Sequence, residues 1–137
     1  MATRTAAPTP RTTAAHPRPV LQPGALLRVE GLALLGAAVA LYAQLGPSWW
    51  WFAALLLVPD VGLLGYLAGL RVGALTYNLT HTLSMPLALG VVGLITSTVP
   101  AIAGALIWAG HIGMDRAVGY GLKYPTDFRD THLQRVA

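Results

Sequence analysis

Four apolar stretches, Val29–Gly46, Trp49–Leu70, Val72–Ile95 and Thr98–Val118, fill most of the chain, with only short polar breaks between them. Each is close to the ~20 residues that a helix needs to cross the ~30 Å hydrocarbon layer of a bilayer. Backbone polar groups in lipid must be satisfied within the segment or in a closed barrel. Barrel strands need only about ten alternating residues, so stretches of this length predict helices. The breaks are Pro47-Ser48, Arg71 and Thr96-Ser97. Such tight connections make sequential helices antiparallel. The expected fold is all-α: an integral membrane four-helix bundle, up-down-up-down, over residues 26–118.

Composition agrees. Hydrophobic residues make up 55% of the chain and charged residues 10%, with a mean hydropathy of +0.58; soluble domains average roughly 25% charged. There is no cysteine, which excludes disulfides, thiolate metal sites and a cysteine nucleophile. The net charge of +4 is owed largely to Arg4, Arg11 and Arg18 in the first twenty residues. We read this excess as a topology signal rather than a nucleic-acid footprint. Residues 1–25, rich in Ala, Thr, Pro and Arg and free of acids, predict a disordered tail. Its prolines argue against the amphipathic helix of a transit peptide.

Orientation follows from the basic side chains. Arg28 precedes the first span, Arg71 separates the second and third, and Arg116, Lys123, Arg129 and Arg135 follow the fourth. All fall on one side, which the positive-inside rule makes the cytoplasm, so both termini are expected there. Trp49, Trp50 and Trp51 then anchor the opposite interface. Gly65-x-x-x-Gly69 and Gly69-x-x-x-Gly73, with Gly104, Gly110 and Gly113 on the fourth span, read as ridges for close helix packing. Pro59 and Pro86 predict kinks in the second and third spans. Residues 119–137 form a cytoplasmic juxtamembrane tail. Thr126 or Asp127 is expected to cap a short helix there, and Tyr120, Tyr124 and Phe128 to rest on the lipid surface.

Ionisable groups inside a membrane are costly, about 2.5–3.5 kcal/mol at the helix centre, and are functional by default. This chain keeps Glu30, Asp60, His81, His111 and Asp115. Measured from the Arg boundaries at about 1.5 Å per residue, Asp60 lies ~16 Å deep, His81 ~15 Å and His111 ~8 Å. Asp60 and His81 thus share a depth on adjacent antiparallel spans. His111 and Asp115 share a face at i, i+4, as do Tyr77 and His81, with Asn78 three residues before His81. The spacing predicts a shared pocket in the cytoplasmic half of the bundle.

Two chemistries suit such a pocket. Asp60, His81, His111 and Asp115, with Tyr77 and Asn78, can do acid–base work on an apolar or lipid-like substrate. His81, His111, Asp60, Asp115 and Glu30 can instead ligate a divalent metal, as His and carboxylates do in other bundles. The chain lacks His-Glu-x-x-His, paired Glu-x-x-His and Gly-x-Ser-x-Gly. The same residues also fit a small proton-coupled transporter or ion pathway working as a homodimer. They fit a structural or accessory subunit too, in which Asp60 and His81 only lock two helices and Glu30 and Asp115 pair with neighbouring arginines. The lipid bilayer and a second copy of the chain are the expected partners; nucleic acid is not.

Asn78 and His81, the run Trp108-Ala109-Gly110-His111-Ile112-Gly113-Met114-Asp115-Arg116, then Gly119-Tyr120-Gly121-Leu122-Lys123-Tyr124 and Thr131-His132-Leu133 carry a resemblance. Over roughly Arg28 to Leu133 the chain resembles a group of small bacterial four-helix membrane proteins catalogued as a domain of unknown function. The resemblance implies the fold and a bacterial inner membrane, crossed several times. It implies no activity and no catalytic residues. It does draw attention to His132.

Overall fold

The computed structural model describes residues 22–136, so the expected tail of residues 1–25 lies almost wholly outside the described residues. The chain is helical: α1 (Pro23–Leu45), α2 (Trp49–Leu55), a 3-10 helix (Val58–Ala68), α3 (Leu70–His81), α4 (Ser84–Ile95), α5 (Val99–Val118) and a single turn, α6 (His132–Arg135). Three stretches are long and apolar enough to cross a membrane: Pro23–Leu45, Trp49–Ala68 and Leu70–Ile95. The last two join elements across breaks. Helix α5 gives its C-terminal turns to His111, Asp115 and Arg116 and is not among the three. Helix α1 starts at Pro23 rather than Val29, with the proline at a position where its missing N–H is no loss.

The two prolines do more than kink their helices. A proline cannot donate to the carbonyl four residues back. For Pro59 that carbonyl belongs to Leu55, and α2 ends there. The chain then runs on in 3-10 geometry for 11 residues, far beyond the three or four usual for this form. For Pro86 the lost partner is Thr82, whose backbone is extended between α3 and α4. Both spans are therefore broken, and the breaks fall beside Asp60 and His81.

Breaks in apolar surroundings leave carbonyls that need donors. Trp108 of α5 donates its indole N–H to the Thr80 carbonyl at 2.6 Å. Thr76 Oγ1 donates to the Gly62 carbonyl at 2.6 Å, tying α3 to the 3-10 helix. Helix α5 is the centre of the bundle, packed along α1 and α4, while the 3-10 helix packs along α3. Tyr42, Ala103 and Ile107 form a core near the Trp49 end, with Phe52 edge-on to Tyr42.

Small residues set the crossings. A methyl on Gly113 would sit 2.7 Å from the Gly31 carbonyl oxygen and 2.8 Å from the Leu35 nitrogen, so α1 and α5 touch backbone to backbone. Gly65 meets Thr76, and Gly73 lies against the Tyr66 ring. Gly69, expected between them as part of a ridge, has open space around it. Its φ of 110° and ψ of 168° instead make the turn from the 3-10 helix into α3, a conformation essentially reserved for glycine. The turn thus falls at Gly69, and Arg71 belongs to the first turn of α3.

Gly113→Ala should destabilise the protein by about 1–3 kcal/mol, the usual cost of overpacking a tight contact. Gly36→Ala, with nothing within 4 Å, should stay within about 0.5 kcal/mol or gain slightly. Thermal melts of both variants in detergent test the close crossing; equal melting temperatures would contradict it.

Candidate functional site

The elements that carry the polar groups meet near the two breaks. Asp60 lies in the first turn of the 3-10 helix, His81 is the last residue of α3, and His111 and Asp115 stand one turn apart on α5. One ligand atom from each, imidazole nitrogen or carboxylate oxygen, falls within 4.8 Å of all the others. His81 Nε2 and His111 Nε2 are 3.0 Å apart. Asp60 Oδ1 lies 3.4 Å from His81 Nε2 and 3.6 Å from His111 Nε2. Asp115 Oδ2 lies 3.4 Å and 3.9 Å from the same two atoms.

The surroundings fix how these groups present themselves. His81 Nδ1 is 2.9 Å from the Tyr77 carbonyl oxygen. A carbonyl only accepts, so Nδ1 donates its proton there and Nε2 is turned to the centre, towards His111 Nε2. The Tyr77 ring stacks on His81 at 3.6 Å between centroids, and its hydroxyl donates to Asp115 Oδ2 at 2.9 Å. One tyrosine thus orients both a histidine and an acid. His111 is fully buried, and its Nδ1 has no hydrogen-bond partner, so packing and the Nε2 contact with His81 hold its ring. Exposure grades outward: the side chain of Asp115 is 15% exposed and that of Asp60 37%.

The six residues expected in acid–base work and the five expected as metal ligands divide. Asp60, His81, His111, Asp115 and Tyr77 come together. Asn78 does not join them. Its amide faces the C-terminal segment, donating to the Lys123 carbonyl at 2.9 Å and accepting from the Lys123 N–H at 2.7 Å. Glu30 is exposed on α1, away from the cluster. Its neighbour Gly31 makes the contact with α5, and a step of about 100° per residue turns Glu30 outward. Among the described residues Glu30 makes no ion pair, and Asp115 pairs with no arginine.

The segment after α5 closes one end of this site. Gly119, at φ 102°, caps α5 in the left-handed conformation and turns the chain back. Lys123 and Thr131 form a short bridge. His132 Nδ1 accepts from the Leu122 N–H at 2.9 Å, so this histidine shapes the segment and does not reach the cluster. Thr131, rather than Thr126 or Asp127, caps the short helix. Phe128 packs on Tyr66 and lies under the Lys123 ammonium, and Tyr124 lies under Arg135. Lys123 is the residue that sequence reasoning missed as part of the site: it is only 8% exposed. Burial pushes its proton affinity down, against the pull of Asp115, Asp60 and Asp127. Lys123 lines a cavity of about 260 Å³ together with Asp60, Asp115 and Tyr77.

A family pattern spanning residues 24–136, described as a domain of unknown function (DUF4260), matches both the bundle and this segment. The chain belongs to the DUF4260 family. Comparison with curated proteins and with solved structures gives no match. The DUF4260 match covers every member of the cluster, together with Asn78 and Lys123.

Two outcomes follow for the segment. Asn78→Ala removes both hydrogen bonds to residue 123 and should cost about 1–3 kcal/mol. The Lys123 amide should then exchange faster with deuterium while the Tyr77 amide keeps its protection. At the surface, hydrogen bonds from Arg135 and Thr126 hold the Asp130 carboxyl down to about 2, from an ordinary 3.8. A depressed carboxyl stabilises fully above its unfolded value and loses that contribution as pH falls through its folded one. Protection of the segment should therefore hold at pH 4 and fade towards pH 2, as read by amide exchange.

Proposed function

We propose that this protein is a multi-pass membrane metalloenzyme, with a divalent ion held by His81, His111, Asp115 and Asp60, acting on a lipid-like substrate. The spacing of the four ligand atoms carries the reading. A tetrahedral ion with bonds of about 2.0–2.1 Å has ligand–ligand edges of about 3.3–3.4 Å. Five of the six edges here run from 3.0 to 3.9 Å, and the sixth, Asp60 to Asp115, lies within 4.8 Å. Two Nε2 atoms 3.0 Å apart that also face two carboxylates make an electron-rich pocket suited to a cation. The Nδ1–H of His81 on a backbone carbonyl and the Tyr77 hydroxyl on Asp115 are the kind of outer contacts that orient metal ligands.

Two imidazoles with two carboxylates suit zinc among common ions. A divalent ion there would supply Lewis acidity and make water more acidic. Asp60, the most exposed of the four, borders the cavity; with one oxygen given to the ion, its second oxygen would take the proton of a water entering a fifth position. Tyr77 keeps Asp115 in place, and the apolar walls keep other water out. Four membrane crossings with both ends in the cytoplasm, in a bacterial inner membrane, complete the proposal. Arg28 supports this arrangement by reaching the Gly119 cap, which brings the start of α1 beside the end of α5.

Metal analysis of the protein purified without chelators tests the reading. One equivalent of zinc or a similar ion is expected, lost in His81→Ala and His111→Ala. Tyr77→Phe should keep the site but weaken affinity about 10–100-fold. A folded wild-type protein that holds no metal after zinc loading would end the metalloenzyme reading. The paired helix breaks favour a second reading, a proton-coupled carrier working as a homodimer, since transporters site substrates at such interruptions. Metal-free protein that dimerises and binds its ligand in a pH-dependent way would select it.

A further inference from the structure

Lys123 is the chain's only lysine; every other basic side chain is arginine. It is nearly buried, yet among the described residues its ammonium joins no ion pair. Nζ donates to the Phe128 carbonyl at 2.6 Å. It also lies 3.7 Å from the centroid of the Phe128 ring and 4.8 Å from that of Tyr77. The aromatic faces stabilise the cation, but an ammonium has three protons and only one is placed on an oxygen. The cavity beside it is lined by Asp60, Asp115 and Tyr77 as well as by Leu63, Tyr120 and Phe128.

Charge decides what such a cavity takes. Two carboxylates alone would repel an anion. A divalent ion at the cluster cancels both, the imidazoles are neutral, and Lys123 leaves one positive charge in excess. A lysine ammonium is a point-charge donor that suits phosphate oxygens. The apolar walls suit the carbon chain attached to such a group.

We infer that the cavity is a subsite for the phosphate headgroup of an amphiphile, held between Lys123 Nζ and the cation at the four-residue cluster. The inference rests on the metal reading and adds the substrate class to it. Asn78 grips the backbone of residue 123 and not its side chain, so Lys123→Gln leaves the segment docked while removing the charge.

The experiment is calorimetric titration of the zinc-loaded full chain, wild type and Lys123→Gln, with dihexanoyl phosphatidate, dihexanoylglycerol and inorganic phosphate. Phosphatidate should bind the wild type and bind the variant about tenfold or more weakly, as befits a lost charged hydrogen bond. Dihexanoylglycerol should bind neither. Inorganic phosphate should bind the wild type more weakly than the lipid; equal affinity would assign the site to free phosphate and overturn the amphiphile.

Metal content, read in the same samples, should be equal in the two proteins. A metal-free wild type overturns both readings. Metal-loaded proteins that bind phosphatidate equally overturn only the headgroup assignment. Should Lys123→Gln not fold, acetylation of the single lysine in the wild type gives the answer. Phosphatidate should slow it severalfold and dihexanoylglycerol should not; no protection by phosphatidate overturns the inference.

Discussion

Everything in this structure turns on the expense of polar atoms in hydrocarbon. Two prolines break two helices, and each break exposes backbone that apolar surroundings cannot satisfy. The chain meets that demand internally. Trp108 and Thr76 donate to the Thr80 and Gly62 carbonyls near the breaks, and Tyr77 gives its carbonyl to His81 as well as its hydroxyl to Asp115. The same breaks bring Asp60 and His81 to the face of α5, where His111 and Asp115 wait one turn apart. Backbone repair and site assembly are therefore one event. A substitution that restored a continuous helix would also rotate the ligand set out of register.

Much of this was legible from residue spacing. The equal depths of Asp60 and His81 and the shared face of His111 and Asp115 follow from helical rise and period, and the four residues do converge. What spacing could not give was direction around the helix axis. Glu30 has the right chemistry and nearly the right depth, but Gly31 beside it takes the contact with α5. Asn78 sits three residues from His81, yet its amide serves the C-terminal segment. Helical period relates residues within one element; it does not say which neighbour each face will meet.

The C-terminal segment shows a second limit. Its basic residues read as topology signals, because charge near a membrane boundary is so often that. Lys123 was hidden among them. The one available hint was its singularity, a lone lysine in a chain whose other cations are all arginine. The prolines were read as kinks rather than breaks because the outcome depends on whether another side chain can supply the missing donor. That is a tertiary fact: beside the Pro86 break, Trp108 reaches the Thr80 carbonyl from 28 residues away.

The grip of Asn78 on residue 123 has an evolutionary corollary. A carboxamide that recognises only peptide N–H and C=O is indifferent to what the side chain carries. The wall of the cavity could change its chemistry by mutation at that one place while the architecture stayed put. Related proteins with another side chain at this point would then be expected to accept different molecules on an otherwise common scaffold.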